Sequence, residues 1–124
     1  MSQEVAGSSP AGTAKLYVVG RADLPAGLRV AQMFHAARAY ASEFPHVESD
    51  WYRRSNTIVL LEVPDRQALE DLLYKATDIT HAGFEEEGIE GPTALCLGPD
   101  ARKLVSSIPL ALKSTSAPRT EPTE

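Results

Sequence analysis

The stretch from Leu28 to Phe44 contains neither glycine nor proline and is rich in alanine. It sets Val30, Met33, Phe34, Ala37, Tyr40, Ala41 and Phe44 at spacings of three and four. That period belongs to an amphipathic helix with one apolar stripe, and Pro45 reads as its stop. On either side lie runs of another kind. Lys15-Leu16-Tyr17-Val18-Val19-Gly20 and Thr57-Ile58-Val59-Leu60-Leu61-Glu62-Val63 are short and β-rich, which predicts strands. The second is apolar at nearly every position, so it is expected to be an interior strand covered on both faces. Strands that alternate with helices argue for an α/β fold.

The rest of the chain continues the alternation. Arg21 to Gly27 reads as a loop punctuated by Pro25 and Gly27. Residues 46–56 read as a polar connection, in which Trp51 and Tyr52 add a short turn that packs inward. Pro64-Asp65 opens a helix whose stripe is Leu69, Leu72, Leu73 and Ala76. Ile79 to Phe84 is expected as a third strand, and Glu85 to Pro92 as an acidic loop. Thr93-Ala94-Leu95-Cys96-Leu97 is a fourth strand, ended by Gly98-Pro99, and Asp100 is placed to cap a last helix running to about Ile108. The predicted order is β-α-β-α-β-β-α, a three-layer α/β/α sandwich around a four-stranded mixed sheet. The folded unit is expected over residues 15–113. Residues 1–14 and 114–124 are rich in small, polar and proline residues, so both read as disordered tails. No internal repeat is visible.

Composition removes several functions. With 12 Lys+Arg against 17 Asp+Glu the net charge is −5, which repels nucleic acid at long range, so any RNA contact must come from a local basic patch. The single cysteine, Cys96, rules out an internal disulfide and any C-x-x-C site. No apolar run approaches the roughly 20 residues that span a bilayer. The opening Met1-Ser2-Gln3-Glu4-Val5 lacks the basic and apolar regions of a secretory signal, so a reducing cytoplasmic location is the expectation.

Motifs for phosphate loops, dinucleotide binding or zinc hydrolases are absent. His35, His46 and His81 lie far apart in sequence, so a metal site has no local support, and no metal or organic cofactor is expected. Cys96 sits in an apolar strand and reads as an inert core residue. One pairing stands out: Gln32 and His35 are three apart on the predicted helix and share a face. An imidazole is a base near neutral pH and a carboxamide can orient a water or a carbonyl, which suits water activation. The alternative is a helix histidine that only bonds a neighbour.

Arg21-Ala22-Asp23-Leu24 after a strand, followed by Gly27 and by Val30-Ala31-Gln32-Met33-Phe34-His35-Ala36 on a helix, resembles the opening of the type II peptidyl-tRNA hydrolases. Ser55-Asn56, the strand from Thr57 and the Pro64-Asp65 helix start follow in the family's order. Thr93-Ala94-Leu95-Cys96-Leu97-Gly98-Pro99 is similar to the family's Thr-x-x-x-x-Gly-Pro strand. The resemblance runs from about residue 15 to residue 112. Pro25-Ala26-Gly27 ahead of Val30-Ala31-Gln32 also resembles a divergent branch, the peptidyl-tRNA hydrolase domain-containing proteins. The resemblance implies hydrolysis of the ester of peptidyl-tRNA, with His35 as base, Gln32 orienting the water or carbonyl, and Thr93 facing the same pocket. It places Asp23 at the first strand's end, holding the loop and helix start, where α/β sheets bind ligands. It also implies a homodimer, since members of the family often form dimers.

This chain departs from the family's pattern at three places. The lysine that many members carry four residues before the glutamine is Leu28 here; the adjacent Arg29 points about 100° around the helix but lies three before Gln32, and is expected to substitute in part. Counting back from Thr93, His81 occupies the place of the family's acid, where it could relay a proton but not anchor a cation. Glu85, Glu86, Glu87 and Glu90 add negative charge, which a tRNA-binding surface would need Arg21, Arg29, Arg38, Arg53 and Arg54 to offset. Bland readings stand beside these. Arg21 and Asp23 either bind substrate or pair with each other, and Glu86 is expected to be a solvated loop acid. Two functions follow: a peptidyl-tRNA esterase, or a non-catalytic binding or regulatory module on the same fold. Hydrolysis of another small ester or amide is a third.

Overall fold

The computed structural model describes residues 14–113; the two predicted tails, apart from Ala14, lie outside the described residues. Strand β1 (Lys15–Arg21) leads into helix α1 (Ala26–Glu43) and then α2 (Pro45–Arg54). Strand β2 (Thr57–Val63), helix α3 (Arg66–Lys75), strands β3 (His81–Glu85) and β4 (Pro92–Leu97), and a 3-10 turn over Pro99–Ala101 complete the order.

The four strands form one mixed sheet in the order β2-β1-β4-β3. β1 and β2 are parallel in register from Lys15↔Thr57 to Arg21↔Val63. Such a pair needs a crossover, and α1 with α2 supplies it. β4 runs antiparallel to both β1 and β3. Side chains alternate across the strands and divide the core in two. Leu16, Val18, Ala82, Ala94 and Cys96 pack under Met33, Ala36 and Tyr40 of α1 and Trp51 of α2. Tyr17, Val19, Leu61, Val63, Leu95 and Leu97 pack under Leu69, Leu72 and Ala76 of α3. Helices therefore cover both faces, as the alternation predicts.

Gly20 lets α1 lie close to β1, since a Cβ there would stand 2.7 Å from Met33 Sδ and 2.9 Å from its Cγ. This sets the height of the helix turn that carries Gln32. The α3 start follows the sequence reading, with the Asp65 carboxylate accepting the Ala68 N–H at 3.0 Å.

Three expectations are corrected. The connection over 46–56 is mostly the helix α2. Pro45 ends α1 and also occupies the first turn of the next helix, Glu48 sits in that turn, and Arg53 and Arg54 close the last. Trp51 is buried as expected, and its Nε1 donates to Thr57 O at 2.7 Å. Secondly, β2 is an edge strand and not an interior one. Ile58 and Leu60 are 47% and 39% exposed, because α1 stops short of covering them. Its outer edge is met instead by the chain after Ile108, through Glu62 N–H to Pro109 O (3.1 Å) and Ala111 N–H to Leu60 O (2.8 Å). Thirdly, the last predicted helix is only a 3-10 turn followed by further turns. No side chain caps it, since Gly98 holds the position that Asp100 was expected to take.

Candidate active site

Gln32 reaches the end of the sheet where β3 hands over to β4. It is 2% exposed, and Thr93, the second residue of the wholly buried β4, is 0% exposed. Buried polar groups require partners, and these two satisfy each other. Thr93 Oγ1 donates to Gln32 Oε1 at 2.7 Å and also lies 3.1 Å from Phe84 O. Gln32 Nε2 donates to Glu86 Oε1 at 3.1 Å. An ionised carboxylate can only accept, so Glu86 fixes which end of the carboxamide is which.

His35 lies one turn further along α1 and is exposed. Its ring stacks on Phe84, with centroids 4.6 Å apart and planes 24° from parallel. Phe84 thus joins the two halves of the site: its carbonyl lies beside Thr93 and its ring carries the imidazole. Gln32, His35 and Thr93 are brought together as the sequence suggests. Glu86 joins them, against the expectation of a solvated acid. No local signal marks it, since it stands among Glu85 and Glu87 and lies far from Gln32 in sequence.

His81 is not brought to this cluster. It opens β3 opposite Leu97, whereas Thr93 lies near Phe84 at the other end of the same hairpin. Three residues of strand separate His81 from Phe84, roughly 10 Å, and its Nδ1 lies 2.6 Å from Ile79 O.

The arginines act as clamps. Arg21, nearly buried, gives Nε and Nη2 to the Asp23 carboxylate at 3.0 and 2.9 Å. Its Nη1 donates to Glu90 O (3.0 Å) and Pro92 O (3.2 Å). The hydrogen bond between them raises the Arg21 pKa and holds the Asp23 carboxyl below its ordinary range. This ties the end of β1 to the loop that carries Glu86. Arg66 grips the same loop through Glu90 at 2.9 Å. Gly91, at φ +78°, passes so close that a Cβ would meet Arg66 Cγ at 2.7 Å.

Arg29 gives Nη1 to Glu62 Oε1 on β2 (2.9 Å) and its other nitrogens to Ala22 O and Leu24 O. It is thereby held on the β2 side of β1, away from β4, and does not replace the cation missing at Leu28. Of the other arginines, Arg54 lies 3.9 Å from Asp50, and Arg53 Nη1 donates to Ser49 Oγ at 2.8 Å. Arg38, exposed and one turn beyond His35, makes no ion pair among the described residues.

Burial pushes the Cys96 thiol up to about 12, so it is no thiolate at neutral pH. Among the described residues no three His, Cys, Asp or Glu side chains gather as a metal site. No described helix is long and apolar enough to cross a membrane.

A three-layer α/β sandwich with a polar relay between its first helix and the start of its last strand defines the class. Within it, the family model for peptidyl-tRNA hydrolase PTH2 matches residues 14–115, and the chain belongs to that family. No curated protein matches the chain. Peptidyl-tRNA hydrolysis is the activity of the family.

Proposed function

We propose that this chain itself hydrolyses the ester joining a peptide to the terminal ribose of tRNA. The observation that carries the reading is the Glu86–Gln32–Thr93 chain lying beside the exposed His35 imidazole. The attacking water gives a proton to His35 as its oxygen adds to the ester carbonyl carbon. Collapse of the tetrahedral intermediate breaks the bond to the ribose oxygen, and the imidazolium returns the proton there. Gln32 Nε2 has a second hydrogen beyond the one given to Glu86, and it serves the carbonyl oxygen. Thr93 holds Gln32 in place and is a positioning residue. Arg38 meets a tRNA phosphate. Arg21, Asp23 and Arg29 hold the loops around the site and make no substrate contact. His81 takes no part in the proton transfer. The reading places the chain in the cytoplasm, with translation.

The test is release of peptide from peptidyl-tRNA by the purified protein and by His35→Ala. Loss of a general base lowers the rate by roughly 10²–10⁴, and equal rates reject the role given to His35.

A second reading, a binding module without turnover, is favoured by two observations. The Glu86 carboxylate occupies one donor of the Gln32 amide, and Arg29 is held by Glu62 while Leu28 stands where many members have lysine. It requires that the parent protein release no peptide at any enzyme concentration.

A further inference from the structure

Among the described residues β3 is the last strand of the sheet, with β4 on one side and no strand on the other. Beside it runs a groove of ≈ 340 Å³, lined by His81, Ala82, Gly83, Phe84 and Glu85 of β3 and, at the Glu85 end, by Pro92 at the start of β4. Its flanks come from opposite layers, Glu43 at the end of α1 and Leu73 on α3. The groove is therefore a slot in the plane of the sheet, between two helical layers, with strand backbone as its floor. An unpaired edge presents alternate N–H and C=O groups outward, and an extended peptide satisfies them as an added strand.

The slot leads to the candidate active site. Its Phe84 end is where the ring stacks on His35 and the carbonyl lies 3.1 Å from Thr93 Oγ1. Its other end is at His81 and Glu43. The Tyr40 hydroxyl, 2.8 Å from Thr80 Oγ1, shows that the later turns of α1 lie over that far end.

We propose that the peptide part of the substrate binds in this slot as a fifth strand, parallel to β3, with its esterified C-terminus at Phe84. The direction follows from the chemistry. The ester must reach His35 and Gln32, and the peptide's earlier residues then run back toward His81. Recognition through main-chain groups is indifferent to side chains, which suits an enzyme that meets peptides of every sequence. Gly83, exposed at the middle of the floor, leaves the incoming backbone unobstructed. The slot holds three or four residues, since His81 to Phe84 spans roughly 10 Å. This proposal rests on the hydrolase reading for its substrate, but the slot itself is tested without turnover.

The experiment has two arms on the full chain. In the first, amide hydrogen exchange over residues 81–85 is measured with an N-acetylated Gly/Ala tetrapeptide amide, and with its copy N-methylated at alternate residues. Alternate β3 amides are expected to slow with the parent peptide and not with the methylated copy. No slowing, or equal slowing by both, overturns the proposal. In the second arm, N-acetylaminoacyl-tRNA and tetrapeptidyl-tRNA are compared as substrates. The longer one is expected to show a KM about tenfold lower at similar kcat, the worth of about one or two net hydrogen bonds. Equal KM values overturn the proposal. Protection of β3 with neither ester hydrolysed keeps the peptide slot and rejects the hydrolase reading instead.

Discussion

Replacing Thr93 by valine keeps the shape of the side chain and removes one hydroxyl. That hydroxyl is the donor to Gln32 Oε1 at 2.7 Å, and the carboxamide is 2% exposed. Water cannot readily take its place, so the oxygen is left without a partner. An unsatisfied buried acceptor costs about 1–3 kcal/mol. In a domain of this size each kcal/mol moves Tm by about 4–8 °C, so the fall is roughly 5–20 °C. The cost belongs to the pair, so Q32L in the T93V background should recover much of it, whereas Q32L alone leaves the hydroxyl with Phe84 O, 3.1 Å away, as its acceptor. Thermal unfolding followed by circular dichroism, run on the parent, both single variants and the double variant, gives the coupling. It should be about 1–3 kcal/mol. T93S restores the donor and should recover most of the stability. Peptide release should stay near the parent's in T93S and fall about 10²-fold in T93V because Gln32 is no longer held in position, and it should not recover in the double variant, which lacks the Gln32 amide. A T93V protein as stable as the parent, with additive effects at the two positions, refutes the reasoning.

Three more outcomes are expected. The Asp23 carboxyl is held below its ordinary range by Arg21, so it contributes stability above the unfolded value of about 4, and this is lost as pH falls through the folded value. Asp23→Asn should flatten the acid limb of the unfolding free energy below about pH 4, and an unchanged limb counts against the clamp. Gly20→Ala drives a Cβ into Met33 and should cost about 1–3 kcal/mol in urea unfolding; a neutral change means α1 can shift without cost. Cys96 is fully buried with its thiol at about 12, so iodoacetamide at pH 8 should label it only after denaturation, and rapid native labelling contradicts this.

Much of the fold was legible because period is a local property. The glycine-free run from Leu28 to Phe44 and the β-rich first run both read correctly as elements, but the buried face of the helix is Gln32, Met33, Ala36 and Tyr40, while Val30 and Phe34 of the expected stripe are exposed. The failures have physical causes. Proline ends one helix and begins another by the same fixed φ, and at Pro45 it does both. A continuous apolar run is compatible with burial on two faces or with one bare face, and Ile58 and Leu60 show the latter. At the site, Gln32 and His35 share a helix face by spacing alone, and Thr93 came from the family resemblance. Glu86 and His81 depend on the hairpin's register. In an antiparallel hairpin the first residues of the two strands stand at opposite ends, so a count along the chain back from Thr93 says nothing of distance. That same register places Glu86, in the loop after β3, against Gln32.

The segment through Pro109 and Ala111 bonds the rim of β2 at Glu62 and Leu60, so the two borders of the sheet are not equivalent. Among the described residues, the border with no strand or segment bonded along it is that of β3. Backbone pairing of two copies along β3 would occupy both of those borders at once. The segment that blunts the β2 margin at Leu60 and Glu62 therefore removes part of a template on which further strands could add.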